Sequence, residues 1–129
     1  MKIVIADPLS DSAAALLRDQ GWTVDARAGR ALEELLTDIA DADGLIVRSA
    51  TKVTKQVIEA APRLRIIGRA GTGVDNVDLS AADERGILVV NAPGANSISV
   101  AEHTCALMLA LSRSVAIAEE LRQRVGGHG

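Results

Sequence analysis

Short β-type runs alternate with helix-type segments along most of this chain, and few folds accept that alternation. Residues 2–6 form an apolar strand pattern that ends at Asp7-Pro8. Ser10-Asp11-Ser12 then offers a helix N-cap, Ala13, Leu16 and Leu17 follow at helical spacing, and Gln20-Gly21 supplies a stop. A second strand pattern covers 22–26, and 31–40 reads as a helix with Leu32, Leu35, Leu36 and Ile39 on one face. A third strand at 44–47 precedes a helix over 52–60, capped by Thr51 or Thr54. A fourth strand at 64–67, a short helix at 79–84 and a fifth strand at 87–90 complete the pattern. Strands separated by helices of this length pair in parallel, with helices on both faces of the sheet.

The predicted fold class is therefore α/β: a flavodoxin-like, doubly wound parallel sheet of five strands in the order 2-1-3-4-5, with flanking helices. The 129 residues, 48% hydrophobic and 24% charged, suffice for one such domain over 1–125, with 126–129 read as a disordered tail. There is no Tyr, no Phe and a single Trp, so Leu, Ile, Val and Ala must build the core. A net charge of −3 without a basic cluster argues against a nucleic-acid partner. The lone Cys105 cannot form an internal disulfide. The apolar run 105–111 falls far short of the roughly 20 residues that span a membrane. The opening run is also too short for a signal peptide, so the expected location is cytoplasmic, with no membrane partner.

In sheets of this kind ligands sit beyond the carboxyl ends of the strands, near the switch in strand order. Those ends carry Asp7-Pro8, Arg48-Ser49, Arg69 to Gly73, and Asn91 to Asn96. The stretch Arg69-Ala70-Gly71-Thr72-Gly73 allows backbone N–H groups to approach an anion, because glycine lacks a Cβ and tolerates positive φ. Arginine adds a planar fork matched to carboxylate or phosphate oxygens, so the rim suits a small anionic ligand. Asn76 stands where a dinucleotide fingerprint would have its third glycine, and without a ligand these are simply turn glycines. A phospho-accepting receiver domain would need a carboxylate where Arg48 stands. A flavodoxin would need a hydroxyl-rich loop in place of Asp7-Pro8-Leu9 and aromatic rings beside its flavin.

Val47-Arg48-Ser49-Ala50-Thr51, the glycine loop, Gly86 to Pro93, and Asn96-Ser97 through Ala101-Glu102-His103-Thr104 occur in that order over about residues 2–113. In this combination the chain resembles the substrate domain of the D-2-hydroxyacid dehydrogenase family, and within it the phosphoglycerate dehydrogenases of serine biosynthesis. The resemblance implies NAD-dependent oxidation of 3-phospho-D-glycerate to 3-phosphohydroxypyruvate. It assigns contacts with the substrate's carboxylate and phosphate to Arg48, Ser49 and Ala50 and to Arg69, Gly71, Thr72 and Gly73. Asn96 and Ser97 would line the cleft, and Thr72 and Thr104 would meet the cofactor.

The same resemblance implies a second domain that supplies the dinucleotide fingerprint, the catalytic arginine, a glutamate and the catalytic histidine. No Gly-x-Gly-x-x-Gly follows a strand pattern here. His103 reads as a helix-surface or interface residue, and His128 falls in the glycine-rich end. No residue of this chain is therefore assigned a catalytic or metal-binding role. NAD is expected in the parent enzyme, and these residues alone are expected to bind none and to be inactive. Residues 114–125 continue as a helical pattern without the proline that the family usually has there; they fit either a variant crossover helix or a rejoined C-terminal helix. A helix over 99–113, apolar nearly all round, suggests a homodimer. The alternative to the enzyme reading is a stand-alone flavodoxin-like binding or interaction domain without catalysis.

Overall fold

The computed structural model describes residues 1–92, 102 and 104–113. Nine elements alternate along it: β1 (Lys2–Ile5), α1 (Asp11–Arg18), β2 (Thr23–Ala26), α2 (Leu32–Asp38), β3 (Gly44–Val47), α3 (Lys55–Glu59), β4 (Ile66–Arg69), α4 (Leu79–Glu84) and β5 (Leu88–Asn91). A tenth, α5, runs over 104–113. The strands form one sheet in the order β2-β1-β3-β4-β5, every pair parallel, as the alternation predicts. Asn96, Ser97, His103, the 114–125 helical pattern and the 126–129 tail lie outside the described residues.

Successive side chains on each strand point to opposite faces, and both faces are covered. Val4, Leu45, Val47 and Ile67 pack with α2, α3 and α4 through residues such as Ile39, Val57, Ile58 and Ala82. Ile3, Ile5, Ile46 and Ile66 pack with α1 and α5, chiefly against Leu17, Cys105 and Met108. All four β3 residues are buried, as expected of a central parallel strand.

A core whose single aromatic ring, Trp22, packs only at its margin closes here by letting α5 come very near the sheet. A Cβ on Gly68 would sit 2.8 Å from Met108 Sδ and 3.0 Å from Thr104 Cγ2. One on Gly44, which pairs with Ile66 across the ladder, would meet Ile3 Cδ1 at 2.5 Å and Met108 Cε at 3.3 Å. The two glycines thus leave the space that the Met108 side chain fills. α5 thus packs one side on the sheet: Met108 is 1% exposed, and Leu111 packs against the same cluster. The residues that α5 leaves exposed are the small Ala106 and Ala110, together with Arg113.

Several element bounds differ from the periodicity, each for a tertiary reason. β4 starts two residues late because Leu64 N–H is still bonded to Ala61 O, at 3.1 Å, in the exit turn of α3. Arg69 is consequently the last strand residue and not part of the loop. Ile87 closes the α4 exit by donating to Ala82 O at 2.9 Å, so β5 begins at Leu88. α3 is shorter than predicted because Val53 pairs with Val77 in an isolated parallel bridge. Thr54, not Thr51, is its cap. Ser10 holds the α1 N-cap position without a capping side-chain bond. Leu32, at the first turn of α2, is 48% exposed and leaves the inward face to Leu35, Leu36 and Ile39.

Beyond the carboxyl end of β2, Arg30 is nearly sealed from solvent between the carboxylates of Asp25, at 3.4 Å, and Asp38, at 3.0 Å. It also donates to Ile5 O at 3.2 Å, pinning the end of β1. The hydrogen bond from Arg27 and the charge of Arg30 hold the Asp25 carboxyl below its usual range, against the opposing effect of burial.

Gly68→Ala and Gly44→Ala should each destabilise the domain by about 1–3 kcal/mol in urea unfolding, because a methyl group has to enter filled space. Met108→Glu should unfold the chain outright, since it buries a charge without a partner. Asp25 stabilises the fold in its ionised form. That contribution is present above the ordinary carboxylate range and is lost as pH falls through the depressed folded value. An acid titration of Asp25→Asn should therefore show a shallower loss of stability on the acid side than the parent chain.

Candidate functional site

Parallel strands bring their carboxyl ends to one rim. The register sets Val47 beside Arg69 and Arg69 beside Asn91, so the loops after β3, β4 and β5 leave the sheet at one level. Past that level the ladder no longer pairs backbone groups, and buried groups without partners are costly. Two side chains take up that bonding.

The first is Asp7, at the turn after β1. The residue is buried, 4% exposed. It accepts Arg48 N–H at 2.6 Å, Thr51 N–H at 3.1 Å and the Thr51 hydroxyl at 2.5 Å. A carboxylate offers about four acceptor sites, which lets one residue gather a whole loop. Arg48, Ser49 and Ala50 are all exposed on that loop, and the Arg48 guanidinium rests against Pro8 O at 3.4 Å.

The second is Asn76. Its Nδ2 donates to Arg48 O at 2.6 Å and Thr51 O at 2.7 Å, and its Oδ1 accepts from Arg69 Nε at 2.7 Å. Arg69 turns back over its own loop, donating from Nη1 to Thr72 O and, at 3.1 Å, to Gly73 O. Gly71 N–H closes onto Arg69 O at 2.9 Å, and Gly73 takes a positive φ of 76° that favours glycine. A Cβ on Gly71 would lie 3.0 Å from Arg69 Nη1. The small residue is thus what lets the guanidinium lie beneath the loop. Thr72 and Gly73 are exposed at its tip.

The structure therefore brings Arg48, Ser49, Ala50, Arg69, Gly71, Thr72 and Gly73 to one rim. Thr104 lies elsewhere: it is fully buried, with its methyl group against Gly68. The neighbouring Cys105 is also fully buried, and its thiol is pushed up to about 11 by burial first and by the Glu102 carboxylate second. An open hollow of about 430 Å³ flanks the two loops between Ser49, Lys52, Thr54 and Asp75 to Asp78. Among the described residues no group of three or more His, Cys, Asp or Glu could hold a metal ion, and no helix is long and apolar enough to cross a membrane.

The sequence pattern points to the glycines and arginines but not to the residues that organise them. Asp7 is legible as a strand-end carboxylate, and Asn76 only as an interruption of a glycine pattern. Neither position carries a spacing signal for bonds that join residues 7, 48, 51, 69 and 76.

Fold and rim together define a doubly wound domain whose strand ends carry a loop site built on arginine and glycine. The chain belongs to the D-isomer specific 2-hydroxyacid dehydrogenase family, whose catalytic domain matches residues 3–127. A D-3-phosphoglycerate dehydrogenase of Methanocaldococcus jannaschii is 56% identical over 115 residues, which is 89% of this chain and 22% of that protein. The corresponding Homo sapiens protein is 50% identical over 114 residues, 88% of this chain and 21% of that protein. Among solved structures, NAD+-bound 3-phosphoglycerate dehydrogenase of Entamoeba histolytica matches with a TM-score of 0.64 at 35% identity, over 72% of this chain and 33% of that one. A protein of Thermus thermophilus matches with a TM-score of 0.69 at 34% identity, over 96% of this chain and 40% of that one. The chain spans about a fifth of the length of the curated relatives it matches.

Removing the organising carboxylate should destabilise the rim strongly. Asp7→Ala strands the Arg48 and Thr51 N–H groups and should cost about 3 kcal/mol in chemical denaturation. Hydrogen exchange at those two amides should rise first, before the core strands lose protection.

Proposed function

We propose that this chain is the substrate-holding domain of an NAD-dependent phosphoglycerate dehydrogenase. The enzyme would oxidise 3-phospho-D-glycerate to 3-phosphohydroxypyruvate in serine biosynthesis, in the cytoplasm. The observation that carries this reading is the junction of the Arg48–Thr51 and Arg69–Gly73 loops, in a chain 50–56% identical to phosphoglycerate dehydrogenases. Arg48 presents an exposed fork to a phosphate or carboxylate, with Ser49 and the Ala50 backbone beside it. Arg69 acts differently. Its Nε and Nη1 hold the loop, so it places positive charge beneath Gly71, Thr72 and Gly73 while they face the ligand. Asn96 and Ser97 are proposed to complete the cleft.

NAD, when bound, supplies the hydride acceptor. Of the residues here, exposed Thr72 fits a contact with it from the substrate side. The cofactor's pyrophosphate needs a Gly-x-Gly-x-x-Gly turn between a strand and a helix, and the loop here has Asn76 in place of the third glycine. Proton transfer likewise needs a base next to the reacting carbon, and no described side chain at the rim fills that role. The division of labour follows: these residues bind and orient the substrate, and a partner domain performs the chemistry. We also infer self-association. With Met108 in the core, the surface open to a second copy is the Ala106, Leu107 and Ala110 side of α5.

The 129-residue chain should give no NAD-dependent oxidation of phosphoglycerate above background; measurable turnover by the purified chain would overturn the division of labour. Arg48→Ala should weaken phosphoglycerate binding about tenfold or more, the scale of one charge-assisted hydrogen bond, with little change in Tm. Arg69→Ala should lower both affinity and Tm, since it also releases Thr72 and Gly73. Unchanged binding in both variants would leave the alternative, an interaction domain without catalysis.

A further inference from the structure

We propose that Asn76 is a positioning residue that couples the two rim loops, so that Arg48 and the Gly71–Gly73 turn meet an anionic ligand as one site. The inference rests on the reading of the rim as a substrate site, and the role it assigns to Asn76 is exercised through Arg48 and Arg69. A side-chain amide has two N–H donors and one carbonyl acceptor, and here the chemistry of the partners dictates how it lies. Arg48 O and Thr51 O can only accept, so they face Nδ2 at 2.6 and 2.7 Å. Arg69 Nε–H can only donate, so it faces Oδ1 at 2.7 Å.

The backbone of the same segment is stitched to the first loop as well. Asn76 O accepts Val53 N–H at 2.8 Å, and Asp78 N–H donates to Val53 O at 2.9 Å. The amide therefore stands between the loop after β3 and the guanidinium that shapes the loop after β4. Ala70 N–H still donates to Val47 O at 2.8 Å and ties the two loops at their bases; between that bond and the Val53–Val77 bridge no strand pairing sets the spacing of their tips. A ligand that touches both would have to order them on binding, which lowers affinity; an amide bridge makes that order part of the fold.

The test is a double-mutant cycle between Asn76 and Arg48. It is read by titrating 3-phosphoglycerate into 15N-labelled wild type, Asn76→Ala, Arg48→Ala and the double variant. Thermal unfolding verifies that each remains folded, and Asn76→Ser provides a milder, uncharged replacement if the alanine variant does not. Each single change should weaken binding roughly tenfold. The pair should also lose roughly tenfold, far less than the roughly hundredfold of independent sites, because Asn76 acts through the placement of Arg48. The Arg69 Nε–H resonance should shift in both Asn76 variants, even without ligand. Wild-type affinity in the Asn76 variants, or losses that simply multiply, would overturn the positioning role while leaving the arginines as ligands. No saturable shift in wild type would remove the substrate reading and this proposal together.

Discussion

The loops beyond the carboxyl ends of the strands depend on side chains to satisfy backbone groups that the ladder has stopped pairing. Asp7 and Asn76 do this from opposite sides of the loop after β3: one accepts its N–H groups and the other donates to its carbonyls. Each bond so made fixes a loop that would otherwise need ligand to order it. The exposed Arg48 and the Gly71–Gly73 turn are therefore held in place by bonds within the fold itself.

The two arginines illustrate why residue type alone does not define a role. Arg48 lies on an exposed loop with its guanidinium against one carbonyl, a contact it can exchange for an anion. Arg69 commits its Nε and Nη1 donors to Asn76, Thr72 and Gly73 and so works first as a structural brace whose charge the loop inherits. Arg30 is a third case, a nearly buried guanidinium paired with two carboxylates that pins the end of β1, the strand that leads to Asp7. Burial and partners separate these roles; position in the sequence does not.

The core meets a comparable constraint, a shortage of bulky side chains. Without Phe or Tyr, bulk comes from Leu, Ile and Val, and the remaining space is closed by bringing α5 against Gly44 and Gly68 until Met108 fits between them. An unbranched, polarisable side chain suits such an irregular gap. The apolar helix α5 packs one side on the sheet, with Ala106 and Ala110 left outside.

How much is legible in the chain itself follows the range of the forces involved. Strand and helix alternation is a local signal, and it is enough for five parallel strands in the order 2-1-3-4-5 and for the rim where Arg48, Arg69 and the glycine loop meet. Where strands begin is less legible, because pairing register and helix exit turns decide it: Leu64 and Ile87 have strand-like side chains but are tied to Ala61 and Ala82. Burial of Met108 and Thr104 could not be read from an all-apolar pattern that has no preferred face. The roles of Asp7, Thr51 and Asn76 rest on hydrogen bonds between residues 7 to 44 positions apart. The sequence by itself determined the alternation, the parallel sheet and the residue types gathered at its carboxyl rim, because periodicity and chain connectivity act locally. Only the tertiary structure decided which arginine is exposed, which is a brace and which side chains bind the loops together, because hydrogen-bond partners exist only once the chain has folded.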